Sequence, residues 1–117
     1  MNELSYEKEK SALLIIDMQN AFINPEGSLS KMGLNTSRTS MAIEPIKRLK
    51  KEFKAQKLPV IYLQHTHRKD GTDAGMIAKV FPPIMALGHC IEGTWDVEII
   101  EELKDFTIHN LKMCYEV

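Results

Sequence analysis

Ser11-Ala-Leu-Leu-Ile-Ile-Asp17 is apolar throughout its middle and shows no alternation. Such a run predicts a first strand buried on both faces of a parallel sheet. Asn24-Pro25-Glu26-Gly27-Ser28 follows, and its Pro and Gly predict a loop leaving the strand's C-terminal end. In α/β sheets that end carries the chemistry. From Thr36–Ser40, which offers N-cap candidates, Ile43, Ile46, Leu49 and Phe53 recur at steps of three and four with Lys and Arg between them. An amphipathic helix ending near Lys57 is expected. Leu58-Pro59 then introduces Val60-Ile61-Tyr62-Leu63, a second buried strand, so that strand, helix and strand form a right-handed crossover.

Farther on, Gln64–Asp73 is polar, with a turn at Asp70-Gly71, and a short helix is expected over Asp73–Val80 that Pro82-Pro83 must end. Thr94 or Asp96 is placed to cap another helix, in which Val97, Ile100 and Leu103 share a face. Phe106-Thr107-Ile108 reads as a third strand. The fold class is therefore α/β, Rossmann-like and three-layered, with an incomplete parallel sheet of about three strands in one domain over 1–117. A free edge and an uncovered sheet face in so short a chain predict association, as a homo-oligomer, or a truncated domain.

Composition narrows the function classes. With a formal net charge of −1 and 26% charged residues, the chain lacks the field that nucleic acid or anionic lipid would require. The Ala12–Ile16 run is too short for a signal peptide core or a membrane span, so a cytoplasmic protein is expected. Two distant cysteines, Cys90 and Cys114, fit reduced thiols better than a disulfide framework or a CxxC metal site.

Asp17 stands where the first strand ends. A carboxylate among apolar residues at the mouth of a parallel sheet loses hydration, which suits general acid/base work; capping the next turn is the equal alternative. Leu14-Ile-Ile-Asp17-Met-Gln-Asn-Ala-Phe22 resembles the opening signature of isochorismatase-like cysteine hydrolases. Asn24–Gly27, Val60-Ile61-Tyr62, His65-Thr-His-Arg-Lys-Asp70-Gly-Thr-Asp73-Ala-Gly75, Phe81-Pro-Pro and Glu92-Gly93-Thr94 are similar in the family's order.

The resemblance implies a hydrolase of amides, ureas or a vinyl ether that uses an Asp-Lys-Cys triad, without a cofactor and with a small-molecule substrate. It makes Asp17 the proton acceptor. The family's Lys, five residues after an Asp that matches Asp105, would fall at 110, where this chain has Asn110. Lys112 shares that strand face but lies about 6–7 Å farther on; it is either a substitute or a solvated terminal residue. The family's Cys follows a fourth strand. The resemblance thus implies the first two thirds of a domain, ending before the nucleophile and inactive as it stands, or else a non-catalytic binding protein on the same fold. Cys114 follows Asn110 too closely to replace that Cys, and Cys90 reads as an inert thiol despite His89 beside it.

His65 and His67, with Asp70, Asp73 or His89, would suffice for zinc. The Asp-x-His pattern of metal-holding nicotinamidase-type relatives is unmatched, so His65 is assigned to hydrogen bonding or substrate contact and no metal is assigned, with a metal-binding protein using His65 and His67 as the lesser alternative. Gly93-Thr94 matches a family turn where a cis peptide helps build the oxyanion site; a helix entry capped by Thr94 is the equal alternative. Phe22 either walls the pocket or joins the core.

Overall fold

The computed structural model describes residues 7–105 and the backbone of 110–113. Three strands, β1 (Leu13–Ile16), β2 (Val60–His65) and β3 (Asn110–Met113), form a parallel sheet in the order β1-β2-β3. Leu13 pairs with Val60 and Ile16 with Leu63; on the other side Tyr62 pairs with Asn110 and Gln64 with Lys112. The strand expected at Phe106-Thr107-Ile108 lies outside the described residues; the described third strand is Asn110–Met113. Asn110 and Lys112 are two apart on that strand, and their side chains are not among those described.

The helix expected after the first strand is α3 (Ile43–Ala55), entered through a 3-10 turn at Thr39–Ala42 and preceded by two single-turn helices, α1 (Asn20–Ile23) and α2 (Ser28–Lys31). Pro45 is tolerated because it falls in the first turn, where its N–H has no helical acceptor. Ile43 and Ile46 pack on the core, whereas Leu49 remains 48% exposed. Lys50 lies on the sheet side instead, donating to the Tyr62 hydroxyl at 3.2 Å and the Leu103 carbonyl at 3.0 Å. Tyr62 itself donates to the Leu103 carbonyl, and Lys54 pairs with Asp105, so the helix is tied to the segment leading toward β3.

Ile15, Met18, Ile23, Tyr62, Ile99, Ile100 and Leu103 form one buried core cluster, with Leu13, Ile43, Ile46 and Val60 packed against it. Burial of β1 on both faces does not hold: Ile15 is 2% exposed, but Leu14 and Ile16 are each 51% exposed. Side chains alternate along a strand, so α3 covers Leu13 and Ile15 while no described element covers Leu14 and Ile16.

The short helix expected over Asp73–Val80 ends as expected but begins only at Ile77, and one other expectation is corrected. Pro82-Pro83 begins a helix as well as ending one: α4 (Ile77–Val80) stops before it, and α5 (Pro83–Ala86) carries Pro at its first positions. Proline's fixed φ and missing N–H suit a helix start as well as they oppose a helix interior. The helix expected after Thr94 is replaced by 3-10 turns at Trp95–Val97 and Glu101–Leu103. Between them the backbone is extended and pairs with the segment after β1: Asn20 N–H donates to the Glu98 carbonyl and Ile100 N–H to the Met18 carbonyl. Those strand-like bonds leave no continuous helical ladder.

Candidate active site

At the C-terminal ends of β1 and β2 the chain turns away from the sheet through Asp17, whose φ is +57°. That left-handed conformation strains a residue with a Cβ and is tolerated by Asp more than by most. The turn aims Gln19 back across the gap. Gln19 is fully buried; its amide donates to the His65 and Val97 carbonyls, both at 2.8 Å, and its carbonyl accepts the His65 N–H at 2.8 Å. One side-chain oxygen of Asp17, Oδ1, is buried without a hydrogen-bond partner.

Beyond β2 the chain continues extended, with His67 bridged in parallel to Ile91, so the His89–Ile91 segment lies beside it. This gathers three imidazoles. The ring of His65 lies 4.5 Å from that of His67 and 5.8 Å from that of His89, and Phe22 meets His89 edge-on at 5.2 Å. His65 and His67 share a hydrogen bond between their Nε2 atoms at 3.0 Å. A cavity of about 390 Å³ opens here, lined by His65, His67 and His89, with Met76, Ile77 and Ile84 as its apolar wall.

Each side of the cluster is anchored on a carboxylate. Asp73 accepts the Arg68 N–H on both oxygens at 3.0 Å and lies 3.6 Å from His67 Nδ1. Asp96 accepts the Ser28 hydroxyl at 2.6 Å, the Ser28 N–H at 2.9 Å and the Cys90 N–H at 2.8 Å. The Ser28 oxygen also meets His89 Nδ1 at 2.6 Å. Ser28 can sit there because Gly27 precedes it: a Cβ at 27 would stand 2.2 Å from the Asn20 carbonyl oxygen.

Burial pushes the His89 imidazole down to about 4 against the pull of Asp96, with His65 and His67 adding to the depression. Burial, then His67, also lowers His65, against Asp17 and Asp73. The Cys90 thiol moves the other way: burial, then Asp96 and Asp17, push it far up, so it stays protonated. Among the described residues, His89, Cys90 and Asp96 bring potential ligand atoms within 4.8 Å of one another, but the hydrogen bonds to Ser28 and to the Cys90 N–H already engage Asp96.

The His89 shift has a sign for stability. Its folded value of about 4 lies below the ordinary 6.5, so the unfolded chain takes up the proton first. The stabilisation is whole above about pH 6.5 and is lost as the pH falls toward 4. Thermal melts at pH 7, 5.5 and 4.5 should therefore show a shallower acid loss for His89→Asn than for the parent; parallel profiles would refute this.

Of the expected site residues His65 lines the cavity; Phe22 packs against the core with its ring 6.2 Å from that of His65, and Asp17 acts on His65 by its charge. Gly93 and Thr94 do not line the cavity: both are exposed, their peptide is trans rather than cis, and the Thr94 N–H is spent on the Ile91 carbonyl at 3.2 Å. Thr94 Oγ1 bonds the same carbonyl and caps nothing. Gln19, Ser28 and Asp96, which organise the cluster, had no signal in the periodicity.

A model of the isochorismatase domain matches residues 11–115. The chain belongs to the isochorismatase domain family. It is 36% identical over 72 residues to ureidoacrylate amidohydrolase RutB of Azorhizobium caulinodans, matching 62% of this chain and 32% of that protein. To the Cronobacter sakazakii protein of the same name it is 27% identical over 112 residues, 86% of this chain and 48% of the relative. The crystal structure of a cysteine hydrolase from Pseudomonas syringae pv. phaseolicola superposes with a TM-score of 0.76 at 28% identity, over 89% of this chain and 46% of that one. N-carbamoylsarcosine amidase from Thermoplasma acidophilum gives 0.62 at 26% identity, over 88% and 51%. The chain thus spans about half the length of these two structures and no more than half of the two curated relatives. Among the described residues no helix is long and apolar enough to cross a membrane.

Proposed function

We propose that this chain carries the proton acceptor and the ligand cavity of an isochorismatase-type hydrolase of small-molecule C–N bonds, and that by itself it binds such a ligand without turning it over. The observation that carries this reading is the histidine-lined cavity together with Asp17, which is strained at the end of β1, keeps a buried and unpartnered oxygen, and acts by its charge on the His65 ring. The relatives named amidohydrolase and amidase support the reaction class. Absence of turnover follows from the groups present. Cys90 is fully buried with its thiol held protonated, and a thiol rather than a thiolate is a poor nucleophile. Asn110 occupies the place of the family's Lys. Lys112 as its substitute belongs to this reading only through its register opposite Gln64.

In a complete site Asp17 would take the nucleophile's proton and backbone N–H groups would hold the oxyanion. In this chain the free Asp17 oxygen instead accepts a ligand N–H. A hydrogen bond to a charged group is worth about 1.5–3 kcal/mol, so Asp17→Asn should weaken binding of n-butylurea by about 10- to 100-fold in calorimetry. Unchanged affinity would separate Asp17 from the cavity. The same reading includes self-association through the exposed Leu14 and Ile16. Sedimentation should show a dimer or larger that Leu14→Lys dissociates; a monomer throughout would contradict it.

A further inference from the structure

Resting on the functional reading above, we propose that the cavity is hydrogen-bond-accepting: Asp96, acting through Ser28, fixes the His89 proton on Nδ1, so that Nε2 presents a lone pair and selects ligands with N–H donors.

The assignment follows from counting protons. The Ser28 hydroxyl has one hydrogen, and it goes to Asp96 Oδ2 at 2.6 Å. The Ser28 oxygen then meets His89 Nδ1, also at 2.6 Å, only as an acceptor. Nδ1 must therefore carry the proton of the neutral ring, and Nε2 none. Asp96 is held to this task by the Ser28 and Cys90 N–H groups, which engage both of its oxygens.

The other two imidazoles keep their protons to themselves as well. His67 Nδ1 is buried without a hydrogen-bond partner, and the Asp73 carboxylate 3.6 Å away favours the ring's proton on that side by its charge. His67 Nε2 then accepts from His65 Nε2 at 3.0 Å, which consumes the His65 proton. The His89 and His65 N–H groups are engaged inside the protein, and among the described residues no Lys or Arg lines the cavity. With Asp17, Asp73 and Asp96 around it, the pocket disfavours an anion and leaves a donor-bearing neutral group unmatched by any internal competitor. Met76, Ile77 and Ile84 suit a short apolar substituent. A monosubstituted urea meets both requirements. Asp96 and Ser28 are positioning residues, since they act through His89.

Long-range ¹H–¹⁵N NMR of the histidine-labelled chain at pH 7 reads each tautomer directly. His89 should be protonated at Nδ1, and n-butylurea should move its Nε2 resonance and bind about ten-fold tighter than tetramethylurea or pentanoate, one hydrogen bond's worth. Ser28→Ala, and Asp96→Asn if it folds, should shift His89 toward the Nε2–H form and abolish the preference for n-butylurea. A His89 proton on Nε2 in the parent would overturn the proposal. So would an unchanged tautomer in folded Ser28→Ala. Equal binding of n-butylurea and tetramethylurea would overturn it while the functional reading stands; no response to any of the three probes would overturn both.

Discussion

Gln19→Leu should lower the stability of the chain by about 2–5 kcal/mol, although it preserves side-chain size and adds apolar character. The reason lies in the alternation of β2. Carbonyls of Pro59 and Leu63 accept N–H groups of Leu13 and Asp17, so the odd-numbered backbone groups of β2 face β1. His65 is next in that series, but the chain has turned away at Asp17 and offers no strand there. The Gln19 carboxamide supplies both missing partners, an acceptor for the His65 N–H and a donor for its carbonyl. Val97 would not be orphaned by the change, since Gln64 also donates to its carbonyl at 2.9 Å.

The half-buried His65 backbone would lose both carboxamide partners, each at a cost of about 1–3 kcal/mol and toward the lower part of that range because the site is not fully closed. Against a typical total of about 5–15 kcal/mol this is a large loss. Thermal unfolding should show a fall of at least about 10 °C. A change of one or two degrees would mean that water or a shifted backbone replaces the carboxamide.

Legibility of the fold from sequence tracked the range of the interactions. β1, α3 and β2 announce themselves through local patterns, an apolar run, a three-and-four spacing and a second apolar run, and each element formed near its expected place. The segment after Thr94 misled because Val97, Ile100 and Leu103 keep helical spacing while the backbone of Glu98 and Ile100 is claimed by Asn20 and Met18, some eighty residues earlier. Pro82-Pro83 ends one helix as expected and also starts the next, which the pattern did not signal.

The site was legible in part. Asp17, His65 and Phe22 stand out from their place after apolar strands and from the family resemblance; of these His65 lines the cavity, Phe22 packs on the core edge-on to the His65 ring, and Asp17 acts on that ring by its charge. Ser28 and Asp96 were not, because a serine after a Pro-Gly loop and an aspartate near a turn have many ordinary uses. Their hydrogen bond spans 68 positions, and only the fold brings them together. Gly93-Thr94 carried a family pattern, yet its N–H is engaged at the surface.

The second large effect is on turnover, and it is also the most direct test of the proposed function. A positioned base is usually worth about 10²–10⁴-fold, but only when it has a nucleophile to activate. In Cys-dependent sites, loss of the nucleophile alone removes nearly the whole rate, because the members act as a unit. Asp17 with a sealed Cys90 and Asn110 in place of Lys should therefore leave nothing to measure. The measurement is hydrolysis of a panel of small amides, carbamoyl compounds and nicotinamide by the chain and by Asp17→Asn, Cys90→Ser and Cys114→Ser. The predicted result is background release from all four proteins, with n-butylurea binding to the parent intact. Turnover well above background that disappears with Asp17→Asn and with either Cys→Ser change would contradict it and identify the working nucleophile.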